Sequence, residues 1–182
     1  MADPRGTVGV TRRCGIEPSD REMAQESLGP YRLLAVDDDD NCSELIVRTA
    51  LKCGYEAFPV ADARALRETI SHWRPHVVTL DLCLPDVDGF EALTSLKTVE
   101  FSGQLIVISG QPEWLREQAA KLALNSGLRV PAHMSKPVEL AQLRELLTTI
   151  KAGLSLSLLN QFGANGSGEA VKETSPERKD PH

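Results

Sequence analysis

Short apolar runs alternate with amphipathic stretches five times through the middle of the chain. The apolar runs, which are rich in Leu, Val and Ile, predict β-strands over Tyr31–Asp37, Tyr55–Val60, His76–Asp81, Gln104–Ser109 and Arg129–Met134. Apolar residues at helical spacing predict α-helices over Asn41–Cys53, Asp62–Trp73, Asp88–Lys97, Pro112–Asn125 and Val138–Ala152. Each predicted strand is therefore followed by a helix.

Strands that alternate with helices form a parallel sheet with helices on both faces. The segments LLAV, VVTL and LIVI are apolar throughout, as central strands covered on both sides require. Pro131 interrupts the fifth run, which predicts an edge strand. Ligands of such sheets bind at the carboxyl ends of the strands, so the residues that end strands one and three should share one edge.

Segments without hydrophobic periodicity flank this region. We predict a flexible N-terminal leader over residues 1–29, one domain over 30–152 and a mostly disordered C-terminal extension over 153–182. The extension begins with a leucine-rich stretch that could instead lengthen the final helix. Its leucines are Leu154, Leu156, Leu158 and Leu159.

Charge and composition disfavour several classes of function. The chain has 182 residues, 41% of them hydrophobic, which is enough for one core. Its formal net charge of −6 disfavours non-specific binding to nucleic acid or anionic membranes. The four cysteines form no CxxC pair, and no secretory signal or membrane-spanning run is recognisable. We expect a cytoplasmic protein with reduced thiols and without nucleic-acid or membrane partners.

Polar residues stand at the ends of four predicted strands. Asp37 and Asp38 lie at the end of strand one, Asp81 ends strand three, Ser109 ends strand four and Lys136 follows strand five. Clustered carboxylates repel one another unless a cation joins them, and Mg²⁺ binds carboxylates together with phosphate oxygens. An Asp carboxylate can also accept a phosphoryl group, with Mg²⁺ and an ammonium group neutralising its oxygens.

Four segments together resemble the receiver domains of bacterial two-component response regulators. They are LLAVDDDD, VVTLDLCLPDVDGFE, LIVISG and MSKPVEL, and the resemblance extends from Tyr31 to Ala152. It implies a flavodoxin-like, doubly wound (βα)5 fold of the α/β class, with a five-stranded parallel sheet in the order 2-1-3-4-5. The SGQPEWLREQAAKLALNSGLRVPAHMSKPVEL segment is similar to receivers that precede EAL domains.

The resemblance assigns a metal-dependent phosphoacceptor site. Asp81 is implied to be the phosphoacceptor, and Asp38 a direct ligand of Mg²⁺ or Mn²⁺. Asp37 is implied to bind the metal through water, and the backbone carbonyl of Cys83 to complete the protein ligands. Asp39 and Asp40, by contrast, are interpreted as helix-capping residues, and Asp86 and Asp88 as turn and cap residues.

A second group of residues is implied to contact the phosphoryl group or to respond to it. Ser109 and Gly110 correspond to the switch hydroxyl and its neighbour, and Lys136 to the phosphate partner, whose bond to Pro137 is usually cis in the family. The family often has Tyr or Phe where this chain has His133, so an imidazole that titrates near neutral pH could replace an aromatic switch.

The resemblance implies a signalling module rather than an enzyme. A histidine kinase or phosphotransfer protein would phosphorylate Asp81, and the surface of the fourth helix, fifth strand and fifth helix would bind a partner protein or a second copy. Because no output domain follows, we expect a single-domain regulator. The alternative is an adaptor of the same fold that works without phosphate. An aspartyl phosphohydrolase is disfavoured by Cys83, where a second Asp is required, and a DNA-binding regulator by the lack of a basic helical segment.

Overall fold

A parallel sheet with helices on both faces forms the computed structural model, which describes residues 29–164. The strands are β1 (Tyr31–Val36), β2 (Tyr55–Val60), β3 (Val77–Leu80), β4 (Gln104–Ser109) and β5 (Arg129–Ser135). The helices are α1 (Asp40–Lys52), α2 (Ala63–Trp73), α3 (Gly89–Thr98), α4 (Glu113–Asn125) and α5 (Leu140–Ala164). Most predicted elements are confirmed to within two residues.

The strand order is β2-β1-β3-β4-β5, and all neighbouring strands are parallel. This confirms the doubly wound, flavodoxin-like α/β fold. β5 is an edge strand as Pro131 predicts, and its register to β4 shifts between Gln104 and Ile106. β2 forms the other edge and contains Pro59, whose missing N–H is tolerated at that position.

Alternation along β1 divides the core between the two faces of the sheet. Leu34 and Val36 pack in a cluster with α2, α3 and α4, whereas Leu33 and Ala35 pack on the opposite face with α1 and α5. All four side chains are at most 1% exposed. Complete burial on both faces is the reason that the central strands lack polar alternation.

Acidic side chains begin three of the helices, because they satisfy backbone N–H groups that have no partner within a helix. Asp39 accepts from Asn41 N at 3.0 Å, Asp62 from Ala65 N at 2.7 Å, and Asp88 from Glu91 N at 2.8 Å. The capping roles predicted for Asp39 and Asp88 are thereby confirmed.

The final helix extends beyond Ala152, where the sequence pattern predicts its end. It continues to Ala164, so the described part of the predicted C-terminal extension, residues 153–164, is helical, as its leucine-rich stretch allowed. Leu154 and Leu158 pack against the core, and the Ser155 hydroxyl lies 2.9 Å from Tyr31 Oη, whereas Leu156 is 54% exposed. These contacts stabilise the part of the helix that follows Ala152, which the amphipathic spacing before Ala152 does not predict.

The predictions for residues 1–28 and 165–182 lie outside the described residues. Among the helices that the structure describes, none combines the length and hydropathy needed to cross a bilayer.

Candidate functional site

The carboxyl ends of β1 and β3 bring two acidic side chains together. Asp37 follows β1 and Asp81 follows β3, and their backbones extend the sheet beyond the strands. Asp37 N donates to Val60 O at 3.0 Å, and Asp81 N donates to Val36 O at 2.9 Å. Both residues thus reach the edge at which parallel sheets of this type bind ligands.

Three carboxylates form a cluster at this edge. One oxygen from each of Asp37, Asp38 and Asp81 lies within 4.8 Å of the others. Asp37 is 2% exposed and Asp81 is 4% exposed, whereas Asp38 is open to solvent. Burial of two neighbouring negative charges is unfavourable unless positive charge lies beside them.

Lys136 supplies a positive charge from the end of β5. Its Nζ atom lies 2.8 Å from Asp37 Oδ1 and 2.5 Å from Asp81 Oδ2. Burial lowers the pKa of Lys136, but the hydrogen bonds and charges of Asp37 and Asp81 outweigh burial and raise the pKa above its ordinary value. The ammonium therefore stays protonated, and the cluster keeps a formal charge of −2.

Backbone and thiol groups orient the two buried carboxylates. Asp39 N donates to Asp37 Oδ1 at 3.0 Å, and Cys83 N donates to Asp81 Oδ1 at 3.1 Å. The thiol of Cys42 lies against Asp37, and burial, followed by its hydrogen bond to this carboxylate, raises its pKa to about 12. Cys42 therefore remains a neutral thiol. Sequence reasoning missed this contact, since only the position of α1 brings Cys42 back to the end of β1.

The end of β4 forms another side of the site. Ser109 is completely buried, its hydroxyl accepts a weak hydrogen bond from Gln111 N at 3.4 Å, and its carbonyl accepts one from Lys136 N at 3.1 Å. Gly110 is exposed beside it. The Gln111 side chain reaches the exposed Cys83 thiol, with Nε2 to Sγ at 2.9 Å. Sequence reasoning did not select Gln111. No motif or periodic spacing in the sequence relates it to Cys83, so the sequence could not have predicted this contact.

The remaining predicted residues lie on β5 and directly after it. His133 is half-buried, pairs with Val107 and lies on the face of the sheet opposite Met134, towards α4. The Lys136–Pro137 peptide bond is cis, as the resemblance implies. All residues predicted from the sequence for the site therefore end β4, follow a strand end or lie on β5.

Asp86 has a contact that its prediction as a turn residue does not include. Both of its carboxylate oxygens accept from Ala63 N at 3.1 Å, so it stabilises the first turn of α2 from a separate loop. This hydrogen bond is the main reason that the pKa of Asp86 lies below its ordinary value. The loop that contains the proposed phosphoacceptor is thereby joined to α2.

The residues present fit a hard divalent cation. Oxygen ligands converge from three carboxylates, one of them solvent-exposed, and Mg²⁺ binds through one or two carboxylates while retaining waters and phosphate oxygens. A set of oxygen ligands of this kind does not need the thiols of Cys42 and Cys83. An ion there would balance the remaining −2 charge and would leave Lys136 available for an anionic group.

Known proteins share this sequence pattern. Residues 33–148 match the response regulator receiver domain family. The chain is 26% identical over 116 residues to sporulation initiation phosphotransferase F of Bacillus subtilis (strain 168), and the alignment covers 63% of this chain and 88% of that protein. It is 29% identical over 118 residues to response regulator MprA of Mycolicibacterium vanbaalenii, covering 65% of this chain and 51% of that protein. This chain therefore spans about half the length of MprA.

A solved structure agrees with these matches. A response regulator from Colwellia psychrerythraea is 29% identical, with a TM-score of 0.60, and the superposition covers 71% of this chain and 99% of that one.

Proposed function

The chain belongs to the response regulator receiver domain family, and we propose that Asp81 accepts a phosphoryl group from a histidine kinase or a phosphotransfer protein. One observation carries the proposal: the buried carboxylates of Asp37 and Asp81 both contact the ammonium of Lys136. A phosphoryl group on Asp81 would add negative charge beside this ammonium, which the arrangement can neutralise.

We propose that the acidic cluster binds Mg²⁺, or Mn²⁺ in its place. Asp38 and Asp81 would bind the ion directly and Asp37 through water, with the Cys83 carbonyl as a further ligand. The bound ion supplies charge neutralisation for the phosphoryl oxygens. The −2 charge of the cluster and the exposure of Asp38 to solvent support this assignment.

The hydrogen bonds of Asp81 suggest which of its oxygens is the nucleophile. Oδ1 accepts from Cys83 N, whereas Oδ2 contacts the Lys136 ammonium. We propose that Oδ2 attacks phosphorus, so that an O–P bond forms as the N–P bond of a donor phosphohistidine breaks. The donor imidazole leaves with the electron pair of that bond. Lys136 would then move its contact from Oδ2 to a phosphoryl oxygen.

The readout is proposed to begin at Ser109. Its hydroxyl, held weakly by Gln111 N, could donate to a phosphoryl oxygen, and Gly110 N–H lies next to it in the chain. Movement of this segment would reposition α4 and His133, and change the surface formed by α4, β5 and α5. Trp114, 61% exposed at the start of α4, makes that surface suitable for a partner protein or a second copy. No reaction beyond phosphoryl transfer to and from Asp81 is proposed.

Intact-mass spectrometry after incubation with acetyl phosphate and Mg²⁺ tests the proposal. We expect the mass of one added phosphoryl group on the wild type and on Asp40→Asn, which changes an exposed acid of the same run. Asp81→Asn should remain unmodified. An unmodified wild type beside a receiver that is phosphorylated under the same conditions would favour the phosphate-independent adaptor instead. Capture of a partner by beryllofluoride-loaded protein would then test the signalling surface.

A further inference from the structure

A cavity of about 780 Å³ lies at the opposite pole of the domain from Asp81. It runs along the amino-terminal ends of β1, β3, β4 and β5, where those strands enter the sheet. The residues that line it come from these strand starts, the end of α2, the loop before β4 and the middle of α5. A volume of this size falls within the range of small-molecule sites in proteins.

The lining of this cavity is positively charged although the chain as a whole has a net charge of −6. It includes Arg32, Arg74 and Arg129, together with His76, and Glu100 is the only acid among its lining residues. Within residues 29–164, none of the three arginines forms an ion pair with an acidic side chain. Concave walls concentrate the field of these charges, which favours an anionic ligand.

Backbone strain is concentrated at the same place. Arg74 has φ of 49° and Glu100 has φ of 52°, and among the described residues these are the two non-glycine positions with positive φ. Both follow the ends of helices, where glycine or asparagine usually adopts this conformation. A charged side chain is therefore present where helix termination alone would favour glycine, and Arg74 and Glu100 both line the cavity.

Arg32 and His76, which both line the cavity, contact neighbouring groups. The Arg32 guanidinium lies 5.8 Å from the ring centroid of Trp73, and its Nε atom is buried without a hydrogen-bond partner in the described part of the chain. The backbone N–H of Arg32 donates to His76 Nδ1 at 3.1 Å. The other ring nitrogen of the neutral imidazole, Nε2, is consequently a donor. The lining of the cavity thus includes hydrogen-bond donors on Arg32 and His76.

We propose that this cavity binds a small polyanion that carries phosphate or carboxylate groups. β1 and β5 are separated by three strand spacings, about 14 Å, so Arg32 and Arg129 approach the ligand from different ends. A molecule with several anionic groups matches that distribution better than a single monovalent ion does. The concave shape and the volume of the cavity favour a small molecule over a folded macromolecular partner.

Tryptophan fluorescence can test this site apart from the phosphoacceptor site. The chain has two tryptophans, so Trp114→Phe leaves Trp73, which lies against Arg32, as the reporter. Sodium tripolyphosphate and citrate would be titrated separately into this variant, in metal-free buffer at constant ionic strength. We expect a saturable change with at least one of them, and the same affinity after Asp81→Asn.

Three further variants on this background decide where the anion binds. Arg74→Gly and Arg129→Gln should each weaken binding by about tenfold or more, because each removes a charged hydrogen-bond donor. Arg144→Gln, at an exposed position of α5 away from the cavity, should leave binding unchanged. Arg74→Gly should unfold at the same or a higher temperature than its parent, since glycine accepts positive φ without strain.

Several results would overturn the proposal. The first is a fluorescence change that does not saturate with either anion. The second is an equal loss of affinity in all three arginine variants, and the third is loss of the fluorescence change in Asp81→Asn. Saturation with an oligoglutamate peptide but with neither small anion would assign the cavity to an acidic segment of a partner protein instead.

Discussion

The ammonium of Lys136 lies 2.5 Å from Oδ2 of Asp81, although 55 residues separate the two in the chain. The same Nζ atom contacts Asp37, 99 residues away. This ion pair joins the end of β5 to the ends of β1 and β3. It therefore contributes to stability as well as to the proposed chemistry. Measuring stability with and without Mg²⁺ tells whether a metal ion can replace the positive charge of Lys136.

Lys136→Ala should destabilise the metal-free protein by about 2–4 kcal/mol, because two buried carboxylates lose their counter-charge. Saturating Mg²⁺ should restore much of this loss, since a divalent cation can replace the missing positive charge. Urea denaturation with and without Mg²⁺ measures both quantities. Lys121→Ala is the matched control: its pair with Glu117 is exposed and should contribute less than about 1 kcal/mol. Equal Mg²⁺ effects in wild type and Lys136→Ala would contradict a metal site beside this lysine.

His76 should make stability depend on pH in the mildly acidic range. Burial, and secondarily the charge of Arg32, lowers its pKa in the folded state, so the unfolded chain binds the proton more readily. The contribution of His76 to stability should therefore be fully present above the histidine pKa of the unfolded chain, about 6.5. It should fall as the pH drops below that value. Thermal unfolding between pH 8 and pH 5 measures this change.

His76→Asn should remove most of that dependence, because its side-chain oxygen can still accept the hydrogen bond from Arg32 N. His72→Asn changes an exposed histidine on α2 and should retain the dependence of the wild type. Identical pH profiles for His76→Asn and wild type would exclude His76 as the origin.

Gly153→Ala should stabilise the protein by about 0.5–1 kcal/mol, since alanine is the better helix former and a Cβ at this position meets nothing within 4 Å. The variant tests whether α5 continues past Ala152 in solution. Chemical denaturation, together with helix content by circular dichroism, measures the effect. An unchanged stability would indicate that the helix ends before Gly153, as the sequence pattern alone had predicted.

Gly89→Ala should destabilise the protein by about 1–3 kcal/mol, because its Cβ would lie 2.6 Å from the backbone Cα of Leu82. This contact holds the start of α3 against the segment that follows Asp81, where Gly89 N also donates to Leu82 O at 3.1 Å. Denaturant unfolding is the measurement. Gly110→Ala is the comparison: a Cβ there meets nothing within 4 Å, so its stability should change by less than about 0.5 kcal/mol. Similar losses in the two variants would show that the close packing at Gly89 is not the cause.

The sequence alone predicted the alternation of strands and helices, and the convergence of its acidic residues. Apolar runs and helical spacing record which side of each element is buried, and this information is local. Asp37, Asp81 and Lys136 could be related because each lies at or just after a strand end, and all such ends meet at one edge of a parallel sheet. Pro131 identified the edge strand for an equally local reason, its missing N–H.

Tertiary structure alone determined the contacts between separate loops and helices. The thiol of Cys42 against Asp37, the Gln111 amide on Cys83, the Asp86 carboxylate at α2 and the course of α5 to Ala164 all depend on how elements pack. The arginine-lined cavity is a further example, since its lining residues come from strand starts, turns and a helix that are distant in the chain. Periodicity specifies the buried side of an element, whereas the distances between side chains of different elements are set by strand order, helix placement and close packing.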